Sequence, residues 1–158
     1  MAIPRRIQDF LNDNGARFEH TTHEPSYTAR QLAHTDHVPE RQVAKTVVFV
    51  GDDCYAIAVL PADENVELTK LRVVLGLSEV RLATENELRR LFPECETGAM
   101  PPLGNLYGLP VYVDDDLAEQ EFIEFSAGTH TDTLRMRFKE FARLVKPVRT
   151  RFGQLAAA

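Results

Sequence analysis

Two apolar runs separated by three residues constrain this chain more than any other feature. Lys45-Thr46-Val47-Val48-Phe49-Val50 is followed by Gly51-Asp52-Asp53 and then by Cys54-Tyr55-Ala56-Ile57-Ala58-Val59-Leu60. β-Branched and aromatic residues are frequent in both runs and a Gly-Asp turn joins them, so they read as a hairpin. Neither run alternates polar with apolar positions, as expected of strands covered on two faces. A central hairpin forbids an all-parallel sheet. At 158 residues the chain reads as one domain, 1–158, long enough to bury a real core.

Around the hairpin, helices and strands alternate with short connections. Pro4 fits a helix start, with Ile7, Phe10 and Leu11 on one face and Gly15 past the end, so the first helix runs from about Pro4 to Asn14. Thr28 and Gln31 form a capping-box pattern for a short helix that ends before Pro39, and Thr84 and Glu87 form another that Pro93 ends. Thr69–Leu75 reads as a brief helix, and Val80–Ala83, Leu109–Asp114 and Glu121–Ala127 as strands. Leu134, Met136 and Phe138 alternate with Arg135 and Arg137 in a half-wet strand before a helix over 139–145. Residues 153–158 read as a frayed tail. The fold class is mixed α/β.

Composition excludes several functions. No window approaches the eighteen or so uninterrupted apolar residues of a membrane span, and the N-terminal residues lack the apolar core of a secretory signal. A cytoplasmic protein with no membrane partner is expected. Cys54 and Cys95 stand far apart without C-x-x-C spacing and read as small apolar fillers. There is no G-x-G-x-x-G between strand and helix, no P-loop, no H-E-x-x-H and no G-x-S-x-G. The pairs His20/His23 and His34/His37 lack a carboxylate on the same regular face, so no metal and no cofactor are expected. Net charge is −6, yet Arg135–Arg151 carries seven basic residues against Glu140 alone, while Tyr112–Phe125 is acidic. Such segregation suits either one basic face toward a phosphate backbone or a helix with a solvated basic side.

The segment Gly98-Ala99-Met100-Pro101-Pro102-Leu103-Gly104 reads G-x-x-x-P-x-G. Its glycines permit positive φ and close approach, and its prolines remove two N–H donors and stiffen the middle. Its backbone is therefore the expected working surface. Lys45 at the mouth of a strand, Gly128-Thr129-His130 at the end of another, and the basic C-terminal segment are placed to converge on it.

Ala44-Lys45-Thr46-Val47-Val48-Phe49, the Gly98–Gly104 loop and Gly128-Thr129-His130, in that order, resemble the three blocks of the YbaK-type, prolyl-tRNA-synthetase-associated editing domain family. The resemblance spans the chain from the first helix to about Pro147. It implies a curved, partly barrel-like mixed sheet surrounded by helices. It also implies a trans-acting deacylase that hydrolyses mischarged aminoacyl-tRNA carrying a small amino acid of the Ala, Ser, Thr or Cys class, without metal or covalent nucleophile. The partner is then the acceptor end of the tRNA, with an aminoacyl-tRNA synthetase as a second candidate, and the protein a monomer or weak dimer. Lys45 would meet the ester carbonyl or terminal phosphate. His130 would hold water or shuttle a proton, or serve structurally. Thr46, Gly98, Ala99, Met100, Pro101, Pro102, Gly104, Gly128 and Thr129 would bind substrate, and Arg143, Lys146 and Arg149 the tRNA. Many members place Asn after the lysine where this chain has Thr46, which bears on the amino acid removed. Two further readings are a non-catalytic module that recognises the aminoacyl or uncharged tRNA end, and a different small-molecule hydrolase.

Overall fold

A computed structural model describes residues 3–156. In chain order its elements are α1 (Arg5–Asp13), β1 (Glu19–Thr22), α2 (Ala29–Thr35), β2 (Ala44–Gly51), β3 (Cys54–Pro61), β4 (Glu64–Val66), α3 (Leu68–Val74) and β5 (Val80–Leu82). They continue with α4 (Glu85–Leu91), β6 (Val111–Asp114), α5 (Asp115–Ala118), β7 (Phe122–Ser126), β8 (Asp132–Arg137), α6 (Phe138–Val145), β9 (Val148–Thr150) and β10 (Gly153–Leu155). Short 3₁₀ turns cover 40–42 and 104–106.

The β2–β3 hairpin lies inside a five-stranded mixed sheet of order β5-β2-β3-β6-β9, with β3–β6 and β6–β9 parallel. Asp52 (φ 46°) and Asp53 (φ 68°) form its two-residue turn, both left-handed, which matches the twist of the flanking strands. The Asp52 carboxylate accepts the N–H groups of Ser78 and Glu79, which holds it below the usual carboxylate range. As expected, both faces of the hairpin are covered. Val48, Ile57 and Val59 pack with Ile7, Leu11 and Phe141 on one side, and Phe49, Ala58 and Leu60 with Leu71 and Phe152 on the other.

A three-stranded antiparallel sheet, β1-β8-β7, stands beside the first, and an isolated parallel bridge between Val43 and Glu124 links the two. Thr84 and Glu87 close the expected capping box reciprocally. Thr28 caps α2 by accepting the Gln31 N–H, while the Gln31 side chain receives the N–H of Tyr27.

Four strands escape the periodicity. β1 is Glu-His-Thr-Thr, exposed at every position, and β4, β9 and β10 are three residues each, too short to show a period. The frayed tail expected over 153–158 is corrected for Gly153–Leu155, which pair with β4. The Asp114 carboxylate accepts the N–H groups of Phe152 and Gly153 at 2.9 and 2.7 Å, and Ala156 N–H donates to Asp63 O. Residues 157–158 of that segment lie outside the described residues. Cys54 is exposed rather than a filler, because it opens β3 beside the turn, and Cys95 is half-buried against Tyr107 Oη.

The second glycine of the G-x-x-x-P-x-G loop is a packing position. A Cβ on Gly104 would stand 2.4 Å from Leu109 O and 2.5 Å from Val111 Cγ2, so only glycine lets this loop press against β6. Gly104→Ala is expected to destabilise the fold by about 1–3 kcal/mol, the range of overpacked cores. Chemical denaturation of the two proteins measures it.

Candidate functional site

A cavity of about 250 Å³ opens between three stretches of chain. One wall is Ser26–Ala29 with Leu32, the second is Ala44-Lys45-Thr46 of β2, and the third is Gly98 and Met100, with Ser126 of β7 beside them. Leu32, Ala44 and Met100 are buried and supply apolar lining, whereas Thr46 and Ser126 bring hydroxyls that no other described residue engages. The volume falls below the roughly 300 Å³ at which sites for drug-sized ligands begin, so it suits the small end of a larger molecule.

Lys45 occupies the rim. Its Nζ donates to Glu64 O at 3.0 Å and to Asn65 Oδ1 at 2.6 Å, both on β4. An ammonium has three N–H bonds, so one remains for a ligand. Burial of the stem, and secondarily the Arg30 charge, lower its pKa. A half-desolvated cation beside a small cavity is a strong partner for a carbonyl or phosphate oxygen.

The third block acts from behind the walls. Gly128 N–H donates to Ala99 O at 2.8 Å and Gly128 O accepts the Glu96 N–H at 2.8 Å. His130 N–H donates to a Glu96 carboxylate oxygen at 2.9 Å. On its other side His130 O accepts the Ser26 N–H at 2.9 Å, its Nδ1–H donates to Ser26 O at 3.2 Å, and its ring lies 4.7 Å from that of Tyr27. The turn 128–130 thus fastens the 96–99 loop to the 26–27 segment. Gly128 has φ +94°, and a Cβ there would meet Pro4 Cδ at 2.7 Å, so close packing as well as conformation demands glycine. Thr129 is buried, and its hydroxyl donates to Asp132 Oδ2 at 2.6 Å.

The structure therefore brings Lys45, Thr46, Gly98 and Met100 to one cavity. It does not bring Thr129, whose hydroxyl is spent on Asp132, nor Pro101, Pro102 and Gly104, which are buried and do not line the cavity. Ala99 is buried and contributes its carbonyl to Gly128. Gly98 has φ +93° and its N–H points to Met100 Sδ at 3.2 Å, a weak acceptor. Ser26, Tyr27 and Ser126 escaped the sequence reading. Thr28 was legible as a helix cap, which placed that segment without showing that it faces Lys45.

The three basic residues expected to meet tRNA differ in their surroundings. Arg143 is held by Glu140, Lys146 is the left-handed C-cap of α6, and Arg149 pairs with Asp115 at 2.9 Å. Arg151 likewise reaches Asp115 and Asp116, each at 3.6 Å. Parallel pairing of β6 with β9 thus sets part of the basic segment beside the acidic one.

Glu64, Asp114 and Asp116 bring carboxylate oxygens within 4.8 Å of one another. Main-chain N–H groups already serve Asp114, and Arg41 lies 3.0 Å from Glu64 and 3.6 Å from Asp116. Such a donor set describes an ion-pair knot rather than a cation cage. It adjoins the site, because the Glu64 main chain holds Lys45. Burial, then the hydrogen bond with Asp116, push the Glu64 carboxyl up to about 8 from an ordinary 4.5.

Between those two values the folded chain keeps a proton that the unfolded chain has lost, so this contribution is present below 4.5 and lost as pH rises toward 8. Glu64→Gln fixes the neutral form. Its thermal midpoint is expected to fall less than that of the parent between pH 5 and pH 8.5, by about 3 °C for each kcal/mol retained.

Comparison with known proteins gives a family model described as an aminoacyl-tRNA editing domain, matched over residues 23–144. The multifunctional Ser/Thr-tRNA deacylase ProXp-y of Escherichia coli strain K12 is 26% identical over 157 residues, covering 96% of this chain and 93% of that protein. The proline–tRNA ligase of Heliobacterium modesticaldum is 34% identical over 73 residues, 46% of this chain, and the match spans only 12% of the ligase. A crystal structure of a candidate trans-editing enzyme for prolyl tRNA synthetase superposes with a TM-score of 0.81 at 26% identity, over 95% of this chain and 96% of that one. The hypothetical protein APE2540 shares the fold at a TM-score of 0.85 and 19% identity, over 94% and 99% of the two chains.

Proposed function

Because the chain belongs to the aminoacyl-tRNA editing domain family, we propose that it hydrolyses the ester of a mischarged aminoacyl-tRNA bearing a small amino acid. The observation that carries this is the cavity itself: a half-buried ammonium, a glycine N–H and two hydroxyls around a space of about 250 Å³.

Water adds to the ester carbonyl, the carbonyl oxygen becomes an oxyanion, and collapse of the tetrahedral intermediate releases the amino acid and the ribose hydroxyl of the tRNA. The third N–H of Lys45 faces that oxyanion or the terminal phosphate. Gly98 N–H supplies a second donor, since a developing oxyanion outcompetes the Met100 thioether. Removing a donor of this kind costs about 10²–10³ in rate. His130 acts as a positioning residue through Ser26, Tyr27 and the 96–99 loop.

The amino acid removed is set by exclusion and by hydroxyl pairing. Met100 and Leu32 limit the side chain to a few heavy atoms, and Thr46 and Ser126 can pair with a substrate hydroxyl. That favours Ser or Thr, and agrees with the activity named for the Escherichia coli relative. A pocket that hydrogen-bonds its ligand rejects the analogue lacking the hydroxyl more strongly than an apolar pocket rejects a methylene.

Incubation with tRNAs bearing Ala, Cys, Ser, Thr or Pro is expected to show loss of Ser or Thr ester fastest, with Pro spared. Lys45→Ala should lower kcat/KM at least 10²-fold. Binding of the tRNA end without turnover on any ester would instead make the protein a recognition module. Thr46→Val with Ser126→Ala should narrow the Ser-over-Ala preference while leaving alanyl ester loss within a few-fold; an unchanged ratio would exclude both hydroxyls from selection.

A further inference from the structure

We propose that a basic, aromatic-floored groove at the far end of β7 and β8 holds the RNA strand just upstream of the esterified nucleotide. This rests on the deacylase reading and adds a second contact site to it. The groove encloses about 510 Å³. Its cations are Arg17, Arg135, Arg137, Lys139 and Arg143, against the carboxylates Glu19 and Glu140.

Two of those guanidinium groups lie on one ring. Arg135 Cζ is 4.7 Å and Arg137 Cζ is 4.8 Å from the centroid of Phe122. Aromatic and guanidinium planes are what unpaired bases stack on, and stacking is tolerant of base identity. Arg137 also pairs with Glu121 in a solvent-facing contact that a phosphate can replace, whereas Arg143 is held by the largely covered Glu140. Lys139 is exposed and has no partner among the described residues.

Position relative to the catalytic cavity selects the occupant. Phe122 lines the groove and Ser126 lines the cavity, and these are the two ends of β7, on the same face of the strand. Four residues of strand separate them by about 13 Å. That distance corresponds to about four stacked nucleotides, or fewer if the strand is extended. Between the two lie Glu124 and, across β8, Arg135, with Asp36 packed over them. Burial and the adjacent Asp36 push the Glu124 carboxyl up to about 8, so at neutral pH the Glu124–Asp36 pair shares a proton and sets one negative charge fewer against a phosphate chain there. An acidic polypeptide would match the charge of the groove but would have no reason to lie in line with the cavity.

Charge reversal tests the groove. With an acceptor-stem minihelix that carries no amino acid as the probe, Arg137→Glu combined with Lys139→Glu is expected to weaken binding at least 10-fold. The slope of log K against log salt should flatten by about 2. kcat/KM on mischarged tRNA should fall in parallel, and hydrolysis of a minimal aminoacyl-adenosine ester should stay within two-fold. The neutral pair Arg137→Gln with Lys139→Gln should give a smaller loss in the same direction, which separates charge from any folding defect of the reversed pair.

Minihelix affinity and salt slope unchanged in both pairs would overturn the proposal and leave the deacylase reading intact. Equal loss on tRNA and on the minimal ester would also overturn it, by showing that the segment supports the cavity. Dissociation of a dimer by the same substitutions, with RNA binding unaltered, would make the groove a protein interface and overturn it too. If the unsubstituted protein cleaved neither ester, the deacylase reading itself would fall, an outcome that groove substitutions cannot produce.

Discussion

The site depends on the main-chain clasp at Gly128–His130. Five backbone or backbone-directed hydrogen bonds leave this turn, three to the 96–99 loop and two to Ser26. Both of those segments are irregular, and irregular chain over a cavity has little to hold it except such bonds. The clasp works because Gly128 takes a positive φ where Pro4 leaves no room for a Cβ, and because Thr129 anchors the turn to the Asp132 carboxylate. A glycine here therefore serves the distance between two walls. A group that lines no cavity can still set the geometry of one, since a misplacement of about 1 Å costs two orders of magnitude in rate.

The cation is placed by an opposite strategy. Period-two alternation sets Ala44 and Thr46 on one face of β2 and Lys45 on the other, and bonds from Nζ to Glu64 O and Asn65 Oδ1 fix the ammonium at the rim. Desolvation and Arg30 both disfavour the charge. Two acceptors on β4 favour it, and β4 is in turn held by β10 and by the knot of Glu64, Asp116 and Arg41. The C-terminal strand thus belongs to the support of the site. The knot is tolerated in the interior because Glu64 keeps its proton up to about 8, Arg41 stands beside it and Asp116, and main-chain N–H groups serve Asp114, which avoids the cost of several bare charges.

The strongly patterned elements were legible in the sequence. The hairpin, both sites of Thr capping and the alternating β8 carry periodicity or side-chain chemistry that acts within a few residues. The convergence of Lys45 with the Gly98 loop followed from residue types whose use is hard to explain within a single element. What escaped was set by partners distant in sequence. β1 is polar throughout and is a strand only because β8 offers its edge; β9 and β10 are short and ordered by Asp114 and its neighbours. Within the loop, sequence showed a stiff glycine-bounded segment, but not that Gly98 would face the cavity while Gly104 pressed on Leu109.

The charge map illustrates the same limit from the electrostatic side. Blocks of opposite sign adjacent in sequence suggest opposite faces, yet chain topology decides whether they meet. β6 and β9 run parallel, so Asp115 and Asp116, at the end of one, neutralise Arg149 and Arg151, at the end of the other. The β7–β8 hairpin makes a different pairing: Arg135 and Arg137 fall opposite Glu124 and Phe122, one a carboxyl that holds its proton and the other an apolar ring. Neither cancels the facing cation, and the single ion pair at Glu121 is exposed and weak. Positive potential therefore survives at one end of this small sheet while Arg149 and Arg151 are quenched. It survives on the strand face that leads to the cavity.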